Sequence, residues 1–233
     1  MPYVGRELEV FAQAANWKRY WSSQIREYLA GDVLEVGAGL GANTEILYSD
    51  YCSSWTCLEP DPSLASAIKV RTTSDQKLLH CQVETNTIAN LASGSQFDTI
   101  LYIDVLEHIE HDGEELARAV TCLRSGGRII VLAPAHQQLY SPFDAAIGHF
   151  RRYNRASLLA CSPPKCSLEK IGYLDSVGLL ASLANRLLLR QSDPTLSQIL
   201  FWDRLLVPVS TLIDRITFHR FGKSIMVVWR KER

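Results

Sequence analysis

The stretch VLEVGAGLGANT, residues 33–44, decides the fold of this chain. A short apolar run ends in three glycines, Gly37, Gly39 and Gly41, and residues able to form a helix follow. Glycines let the backbone turn tightly after a strand and approach a ligand closely. The G-x-G-x-G spacing differs from the G-x-G-x-x-G of dinucleotide-binding proteins, and the Gly-Lys-Ser/Thr of a phosphate loop does not follow it. The loop therefore predicts a site for a nucleoside without phosphates.

An acidic residue closes the next predicted strand. Glu59 follows Gly37 by 22 residues, a spacing at which dinucleotide folds place a carboxylate on the ribose hydroxyls. The sequence therefore predicts that Glu59 binds a ribose.

Short apolar runs alternate with helical periods along the rest of the chain. Strands are predicted at 32–36, 54–59, 78–84, 97–104, 127–134, 167–175 and 224–230. Helices are predicted at 5–29, 44–51, 62–70, 107–123, 155–161, 176–190 and 197–216, and a long loop at 135–154. Strands separated by helices form parallel sheets with right-handed crossovers. We expect one α/β domain over residues 1–233, with a helical cap at 1–30 and a loop-and-helix region at 135–222.

The composition narrows the class of protein. The 233 residues are 47% hydrophobic and 21% charged, which is typical of a globular domain and excludes disorder. A net charge of −1 argues against a nucleic-acid partner. The N-terminal residues MPYVGRELEV lack a signal pattern, and charges interrupt the long apolar stretches. With six cysteines that match no zinc spacing, we expect a cytoplasmic protein without stable membrane insertion.

Four motifs together resemble a known family. VLEVGAGLGANT, CLEPDP, FDTILYIDVLEHI and GGRIIVLAP, which lie in order across residues 33–134, resemble the motifs of class I S-adenosylmethionine (SAM)-dependent methyltransferases. The resemblance implies a Rossmann-like α/β fold: a seven-stranded, mostly parallel sheet with helices on both faces, an antiparallel last strand and an N-terminal helical lid. It also implies that SAM is bound by Glu35, Gly37, Gly39, Gly41, Glu59, Pro60, Thr87, Ile88, Asp104 and Val105. Asn86 occupies the place of the family's acidic residue near the adenine, and Glu35 could instead hold the glycine loop.

A second resemblance concerns the segment after the fourth strand. Asp104-x-x-Glu107-His108 is similar to the E-x-x-E-H motif of ubiquinone-pathway O-methyltransferases and small-RNA 2′-O-methyltransferases. In those families the motif holds a magnesium ion, so Asp104, Glu107, His108 and His149 are implied as Mg²⁺ ligands. Without a metal, Asp104 faces the cofactor, and the general base is His149, His108 or His136, because histidine titrates near neutral pH.

The C-terminal third carries the acceptor candidates. The run from SPFDAAIGHFRRY to FGKSIMVVWRK resembles a bacterial small-molecule branch of these enzymes that is often associated with glycosyltransferases. Substrate-binding residues implied or predicted are Trp17, Tyr20, Tyr140, Arg151 and Arg152. The first two could instead belong to the core, and the arginines could pair with the acidic segment 107–115. The leucine-rich helices at 176–216 could cover the acceptor, pair with a second subunit or rest on a membrane; the scarcity of basic residues favours the first two.

The expected activity is methyl transfer from SAM to a small molecule by in-line displacement. The expected acceptor atom is a hydroxyl or carboxylate oxygen, with nitrogen and carbon as the alternatives. The alternative is a SAM-binding protein without methyl transfer, such as a pericyclase, a decarboxylase or a silent partner subunit. The glycine spacing argues against a nicotinamide oxidoreductase. No motif identifies the acceptor, because its pocket is predicted to come from the irregular region 135–222. A homodimer is compatible with the sequence.

Overall fold

The computed structural model describes residues 11–78, 80–186 and 195–233. The strands are β1 Gly31–Val36, β2 Cys52–Leu58, β3 Cys81–Glu84, β4 Phe97–Ile103, β5 Leu123–Pro134, β6 Cys166–Leu174 and β7 Ser224–Lys231. The helices are α1 Ala15–Ile25, α2 Ala42–Leu47, α3 Pro62–Ser74, α4 Asp112–Thr121, α5 Pro142–Ala146, α6 Arg155–Ala160, α7 Ser176–Ala184 and α8 Leu196–Ile216. Helix α8 consists of Leu196–Phe201, a π-helical turn at Trp202–Leu206, and Val207–Ile216. Single 3₁₀ turns form at Arg26–Tyr28, Gln76–Leu78, Ile88–Asn90, Leu106–His108 and Gln137–Leu139.

The strands form one sheet in the order β3-β2-β1-β4-β5-β7-β6. The pairs β1–β2, β2–β3, β1–β4 and β4–β5 are parallel, whereas β7 is antiparallel to both β5 and β6. The chain order reverses direction between β1 and β4, and ligands of open α/β sheets bind outside the carboxyl ends of the strands at such a point. The predicted seven-stranded sheet with a reversed last strand is confirmed.

The core lies on both faces of the sheet, because neighbouring residues of a strand point to opposite sides. On β5, Ile130 and Leu132 belong to one apolar cluster, and Ile129 and Val131 belong to the other. The first cluster includes buried residues of α1, α2 and α8, and the second includes those of α4 and α6. Strands that are apolar on both faces explain the continuous apolar runs of the sequence.

Helix α1 confirms the predicted helix over Ala15–Ile25, and a 3₁₀ turn at Arg26–Tyr28 follows it. Residues 12–14 are not helical, and residues 5–10 of that prediction lie outside the described residues. Four side chains of α1, Trp17, Tyr20, Trp21 and Ile25, are buried in the first cluster. Their spacing is that of one helical face. The helical cap is therefore packed into the core along one side.

The boundaries differ from prediction where strands and helices meet. Strand β5 begins at Leu123 instead of residue 127. The predicted helix 107–123 is therefore shorter in the structure: a 3₁₀ turn forms at Leu106–His108, and the α-helix α4 spans Asp112–Thr121. Strand β3 begins at Cys81, because Gln76–Leu78 forms a 3₁₀ turn. Residues 187–190 of the predicted helix 176–190 lie outside the described residues.

The predicted loop 135–154 contains a short helix. Ser141 caps α5 by accepting a hydrogen bond from the Asp144 N–H, while the Asp144 carboxylate accepts one from the Ser141 N–H. This capping box satisfies two N–H groups at the helix start. It also turns the Asp144 carboxylate inward, where its exposed fraction is 0%.

Candidate functional site

The glycine loop lies at the carboxyl end of β1, against the segment that follows β4. Gly37, Gly39 and Gly41 all have positive φ angles, of 66°, 57° and 72°, a region that side chains with a Cβ rarely adopt. A Cβ on Gly37 would lie 2.7 Å from Cγ2 of Val105. The backbone therefore passes too close to Val105 for a larger residue, and the loop and the end of β4 share one edge of the sheet.

Glu59 joins this loop to the end of β2. Its Oε2 accepts a hydrogen bond from the Gly39 N–H at 2.8 Å, and its Oε1 accepts one from the Asp61 N–H at 2.9 Å. A carboxylate has about four lone-pair positions, so two remain for hydroxyl donors after these bonds. Glu59, which the sequence predicts to bind the ribose, therefore lies directly beside the predicted cofactor loop.

Glu35 is buried and serves the neighbouring helix. Its Oε2 accepts hydrogen bonds from the Thr44 hydroxyl at 2.5 Å and from Nε1 of Trp55 at 3.0 Å. Its Oε1 is buried and has no hydrogen-bond partner among the described residues. Burial raises the pKa of Glu35 to about 7, and the two hydrogen bonds only partly oppose that rise. These contacts favour the second interpretation offered by the sequence, in which Glu35 supports the loop and α2.

The predicted adenine residues lie just beyond β3. Thr87 precedes the 3₁₀ turn Ile88–Asn90, and the Ile88 side chain is buried in the second apolar cluster. Asn86 accepts a hydrogen bond from the Thr87 N–H and donates one to the Asn90 carbonyl. Pro60 is exposed next to Glu59. The contact of Thr87 and Ile88 with an adenine, and that of Pro60 with the cofactor, stay predictions.

Asp104 ends β4 in a constrained conformation. Its φ angle is 53°, and its N–H donates to the Leu132 carbonyl at 2.8 Å. Asp104 is exposed, yet the surrounding protein raises its pKa to about 6, an effect that His149 and Lys223 partly oppose. Left-handed backbone at a residue other than glycine is common at functional sites.

Three residues that the sequence proposed as metal ligands cluster after β4 and α5. Ligand atoms of Glu107, His108 and His149 all lie within 4.8 Å of one another. The rings of His108 and His149 are in edge contact, with centroids 4.6 Å apart. The Phe150 N–H donates to the Glu107 carbonyl at 2.8 Å, which ties the two segments together.

Glu107 is the most unusual member of this cluster. Its side chain is fully buried, and neither carboxylate oxygen has a hydrogen-bond partner among the described residues. Burial, reinforced by the charge of Asp104, raises the pKa of Glu107 well above its ordinary value. Such a carboxyl group needs a proton or a cation, because an unpaired buried charge is costly.

Asp144 orients the histidine of the cluster. Its Oδ1 lies 2.9 Å from Nδ1 of His149 and accepts from Nε of Arg152 at 2.8 Å. Ser141 donates to the other oxygen through its N–H and its hydroxyl. Burial acts to raise the pKa of Asp144, but the hydrogen bonds from His149, Arg152 and Ser141 hold it well below its usual range.

The cluster tests the predicted magnesium site. Glu107, His108 and His149 supply one carboxylate and two imidazoles, whereas Asp104 is not among the residues whose ligand atoms converge. Magnesium prefers oxygen ligands and water, while two histidines and a carboxylate suit zinc, manganese or iron. The donor set therefore does not support magnesium, whereas its two imidazoles, together with the unpartnered Glu107 oxygens, fit a divalent ion such as zinc or iron.

His108 and His136 are poorly suited to act as bases. Burial, together with His149, lowers the pKa of His108 to about 4, so this ring stays neutral and binds protons weakly. Nε2 of His136 lies 2.9 Å from the Gly222 carbonyl, and the ring stacks on Tyr173 at a centroid distance of 5.1 Å. Both contacts indicate a structural role for His136.

Both arginines predicted to clamp the substrate form ion pairs within the protein. Arg151 pairs with Asp112 at 2.8 Å and donates to the Glu110 carbonyl, as the ion-pair alternative proposed. Arg152 binds both oxygens of Asp144, a residue outside the acidic segment 107–115. A guanidinium that is already paired in this way is a poor free clamp, so the structure favours structural roles.

The aromatic candidates also make internal contacts. Tyr20 is buried, and its hydroxyl donates to Asp214 at 2.6 Å. Trp17 is buried against Trp202, with ring centroids 5.6 Å apart. The Tyr140 hydroxyl donates to the His149 carbonyl at 2.6 Å. Trp17 and Tyr20 therefore belong to the core, and Tyr140 positions the segment that carries His149.

Asp144 and Lys223 were missed by the sequence analysis. Asp144 could have been found from the Ser-x-x-Asp capping pattern at 141–144. Lys223 has its Nζ 5.2 Å from the centroid of the Trp202 ring. Burial lowers the pKa of Lys223, and the carboxylates of Asp175, Asp144 and Asp104 act in the opposite direction. A cation close to Asp104 has no local sequence signal, because 119 residues separate the two.

Comparison with known proteins gives the class of this fold. Residues 34–129 match a family model described as a methyltransferase domain. No curated protein matches the sequence. The fold is that of the class I SAM-dependent methyltransferases, a family whose cofactor is SAM.

Solved structures show the same fold at low sequence identity. The N-methyltransferase NodS from Bradyrhizobium japonicum WM9 is 14% identical, with a TM-score of 0.58 over 93% of this chain and 97% of NodS. A further NodS structure contains S-adenosyl-L-homocysteine (SAH). Coclaurine N-methyltransferase is 14% identical, with a TM-score of 0.62 over 94% of this chain and 72% of that protein. The (4+2)-cyclase SpnF is 14% identical, with a TM-score of 0.62 over 92% of this chain and 80% of SpnF.

Proposed function

We propose that this protein is a cytoplasmic enzyme that transfers a methyl group from SAM to an oxygen of a small-molecule acceptor, with His149 as the general base. One observation carries the proposal. Val105 touches the glycine loop, and Glu107, two residues further along, lies 3.8 Å from Nε2 of His149. The segment 104–108 thus links the cofactor loop to the histidine, so a group bound between them meets both.

The residues at the edge of the sheet fit a phosphate-free nucleoside. The closely packed glycine loop and the two free lone-pair positions of Glu59 would hold the sugar, and Thr87 and Ile88 would border the base. SAM supplies a methyl group already activated on a sulfonium, so alignment does most of the catalytic work. The protein's remaining task is to position the acceptor and to remove its proton.

Asp144 fixes how His149 performs that task. A carboxylate that stays ionised at Nδ1 favours the tautomer with its proton on Nδ1, as in other carboxylate–histidine pairs. Nε2 then carries the lone pair, and it makes no hydrogen bond to any described residue. A hydroxyl placed at Nε2 would lose its proton to the imidazole.

A divalent ion at Glu107, His108 and His149 is the alternative way to activate the same hydroxyl. Both histidines would bind through neutral rings, and the low pKa of His108 keeps that ring neutral. The charge of such an ion would lower the pKa of a bound hydroxyl.

Methyl transfer is tested with methyl-labelled SAM and the low-molecular-mass fraction of an extract of the source organism. We expect a labelled product heavier than its precursor by one CH₂, together with SAH. SAH binding without any labelled product would favour the second candidate, a SAM-binding protein without methyl transfer, to which the shared fold of SpnF lends support. Titrations with SAM and NADH distinguish these two candidate functions from an oxidoreductase, because only SAM is expected to bind.

A further inference from the structure

Helix α8 carries a row of exposed apolar side chains on its outer face. Phe201, Leu205, Val209, Leu212 and Ile216 are each 48–67% exposed. Their spacings of 4, 4, 3 and 4 residues place them on one side of the helix. We call these five residues the apolar stripe. Of the fifteen exposed large apolar side chains found among the described residues, ten lie between Leu180 and Phe221, so the exposure is concentrated in this part of the surface.

In the same segment the arginine side chains are exposed and the acidic side chains are buried. Arg204, Arg215 and Arg220 are exposed, whereas both acidic residues of segment 195–221, Asp203 and Asp214, are no more than 2% exposed. Arg204 and Arg215 immediately precede two stripe residues, which places them about 100° around the helix. The outward face of this segment therefore combines apolar and positively charged groups, with no exposed acid of its own.

The two buried acids bind α8 to the rest of the domain. Asp203 accepts a hydrogen bond from the Trp17 N–H at 2.8 Å, at the start of α1. Asp214 accepts bonds from the Tyr20 hydroxyl at 2.6 Å and the Asp175 N–H at 2.7 Å. Pulling α8 out of the fold would break these bonds and expose two carboxylates.

Length and composition alone would allow α8 to cross a bilayer. Among the described residues it is the one helix that is long and apolar enough, with a mean hydropathy of 1.3 and 28% of that window buried in the protein. Two aspartates in hydrocarbon would cost several kcal/mol, and in the fold they are already paired. If α8 instead lies in the plane of the membrane surface, the apolar stripe leaves water while Asp203 and Asp214 keep their hydrogen bonds inside the fold.

We propose that the α8 face binds reversibly to the surface of an anionic lipid bilayer, with the apolar stripe in the headgroup boundary and the arginines on the phosphates. A helix with apolar residues on one face and basic residues beside them is typical of interfacial binding. A second copy of the chain fits less well. A two-fold contact between identical faces would bring two sets of the same exposed arginines together.

Flotation with lipid vesicles tests the proposal without any methyl acceptor. The intact protein is expected to float with phosphatidylglycerol-rich vesicles at low salt, and to bind weakly to pure phosphatidylcholine. Replacing Leu205, Leu212 and Ile216 by Gln should reduce binding at least tenfold. Each Arg→Gln change at 204, 215 or 220 should reduce it about fivefold, which corresponds to about 1 kcal/mol.

A matched control uses exposed apolar residues elsewhere. Tyr51 and Val70 are 82% and 70% exposed, and the double variant Y51Q/V70Q should float like the wild type. Thermal melts confirm that every variant is folded. Absence of binding to the anionic vesicles, or equal binding by the stripe variant, would overturn the proposal. A dimer in analytical ultracentrifugation that the stripe variant abolishes would show that a second copy covers this face instead.

Discussion

Nδ1 of His149 lies 2.9 Å from Oδ1 of Asp144, and the same carboxylate binds Arg152 and Ser141. Because these donors keep Asp144 ionised, the histidine has a fixed orientation before any ligand arrives. Nε2 points towards Glu107, whose oxygens lack hydrogen-bond partners among the described residues. The pair therefore holds the second ring nitrogen of His149 3.8 Å from the buried carboxylate of Glu107.

His149→Ala should remove most of the activity and leave cofactor binding intact. The loss of a general base typically costs about 100-fold or more in turnover, and no described contact joins His149 to the glycine loop. Labelled-methyl transfer measures turnover, and calorimetry measures SAH affinity.

The matched control for His149 is His136→Ala. Its ring makes internal contacts to Gly222 and Tyr173, so this variant should lose stability more than turnover. Full activity of the His149 variant would exclude it both as a base and as a metal ligand.

Asp144→Asn should lower turnover about 100-fold with little change in KM for SAM. An amide can donate to Nδ1 and thereby stabilise the tautomer with its proton on Nε2, which cannot accept the acceptor's proton. The pH profile of turnover is the informative measurement, because a purely structural defect would lower activity equally at all pH values. Arg151→Gln removes an adjacent ion pair to Asp112 and should leave the profile unchanged.

The sheet was predictable from the sequence, whereas much of the acceptor side was not. Apolar runs and the glycine loop are local signals, and the parallel pairing of β1 with β2 follows from the helix that connects them. Arg151 and Arg152 are adjacent in sequence yet bind different carboxylates, Asp112 and Asp144, and neighbours in extended chain project to opposite sides.

Long-range partners explain why the internal contacts of the candidate residues had no signal in the sequence. Tyr20 and Asp214 are 194 residues apart, so no local pattern shows that this hydroxyl is used inside the protein. The helical spacing of α1 shows which side chains share one face, but spacing alone does not say what covers that face.

Glu59→Ala should weaken SAH binding at least tenfold, or by about 1.4 kcal/mol. The variant loses both the proposed ribose ligand and the bond that holds Gly39. Asp61→Asn is the control, because Asp61 caps α3 by accepting from the Ser63 and Leu64 N–H groups. Because asparagine caps a helix about as well as aspartate, that change should alter stability little and leave the affinity nearly unchanged. Equal SAH affinity in wild type and Glu59→Ala would remove Glu59 from the site.

Removing divalent ions distinguishes the two ways of activating the acceptor. If His149 acts as a base without metal, turnover should be unchanged after dialysis against a strong chelator. If a metal acts, turnover should fall and recover with Mn²⁺ or Zn²⁺ more fully than with Mg²⁺, as the two histidines of the cluster require. Glu107→Gln should abolish that recovery, because it removes the carboxylate from the cluster of ligand atoms.

Glu35→Gln should make the protein less sensitive to rising pH. The pKa of Glu35 is raised from 4.5 to about 7 in the folded state by burial. Between these values the unfolded chain releases the proton and the folded chain keeps it, so the free energy of unfolding falls as pH rises. The pKa shift of Glu35 corresponds to about 3 kcal/mol of stability, which is present below the unfolded pKa and lost above about pH 7.

A glutamine at position 35 can still accept from Thr44 and Trp55 and carries no proton to lose. Urea unfolding at about pH 5 and about pH 8 should therefore show a smaller difference in the variant than in the wild type. Equal differences would mean that Glu35 keeps an ordinary pKa in the folded protein.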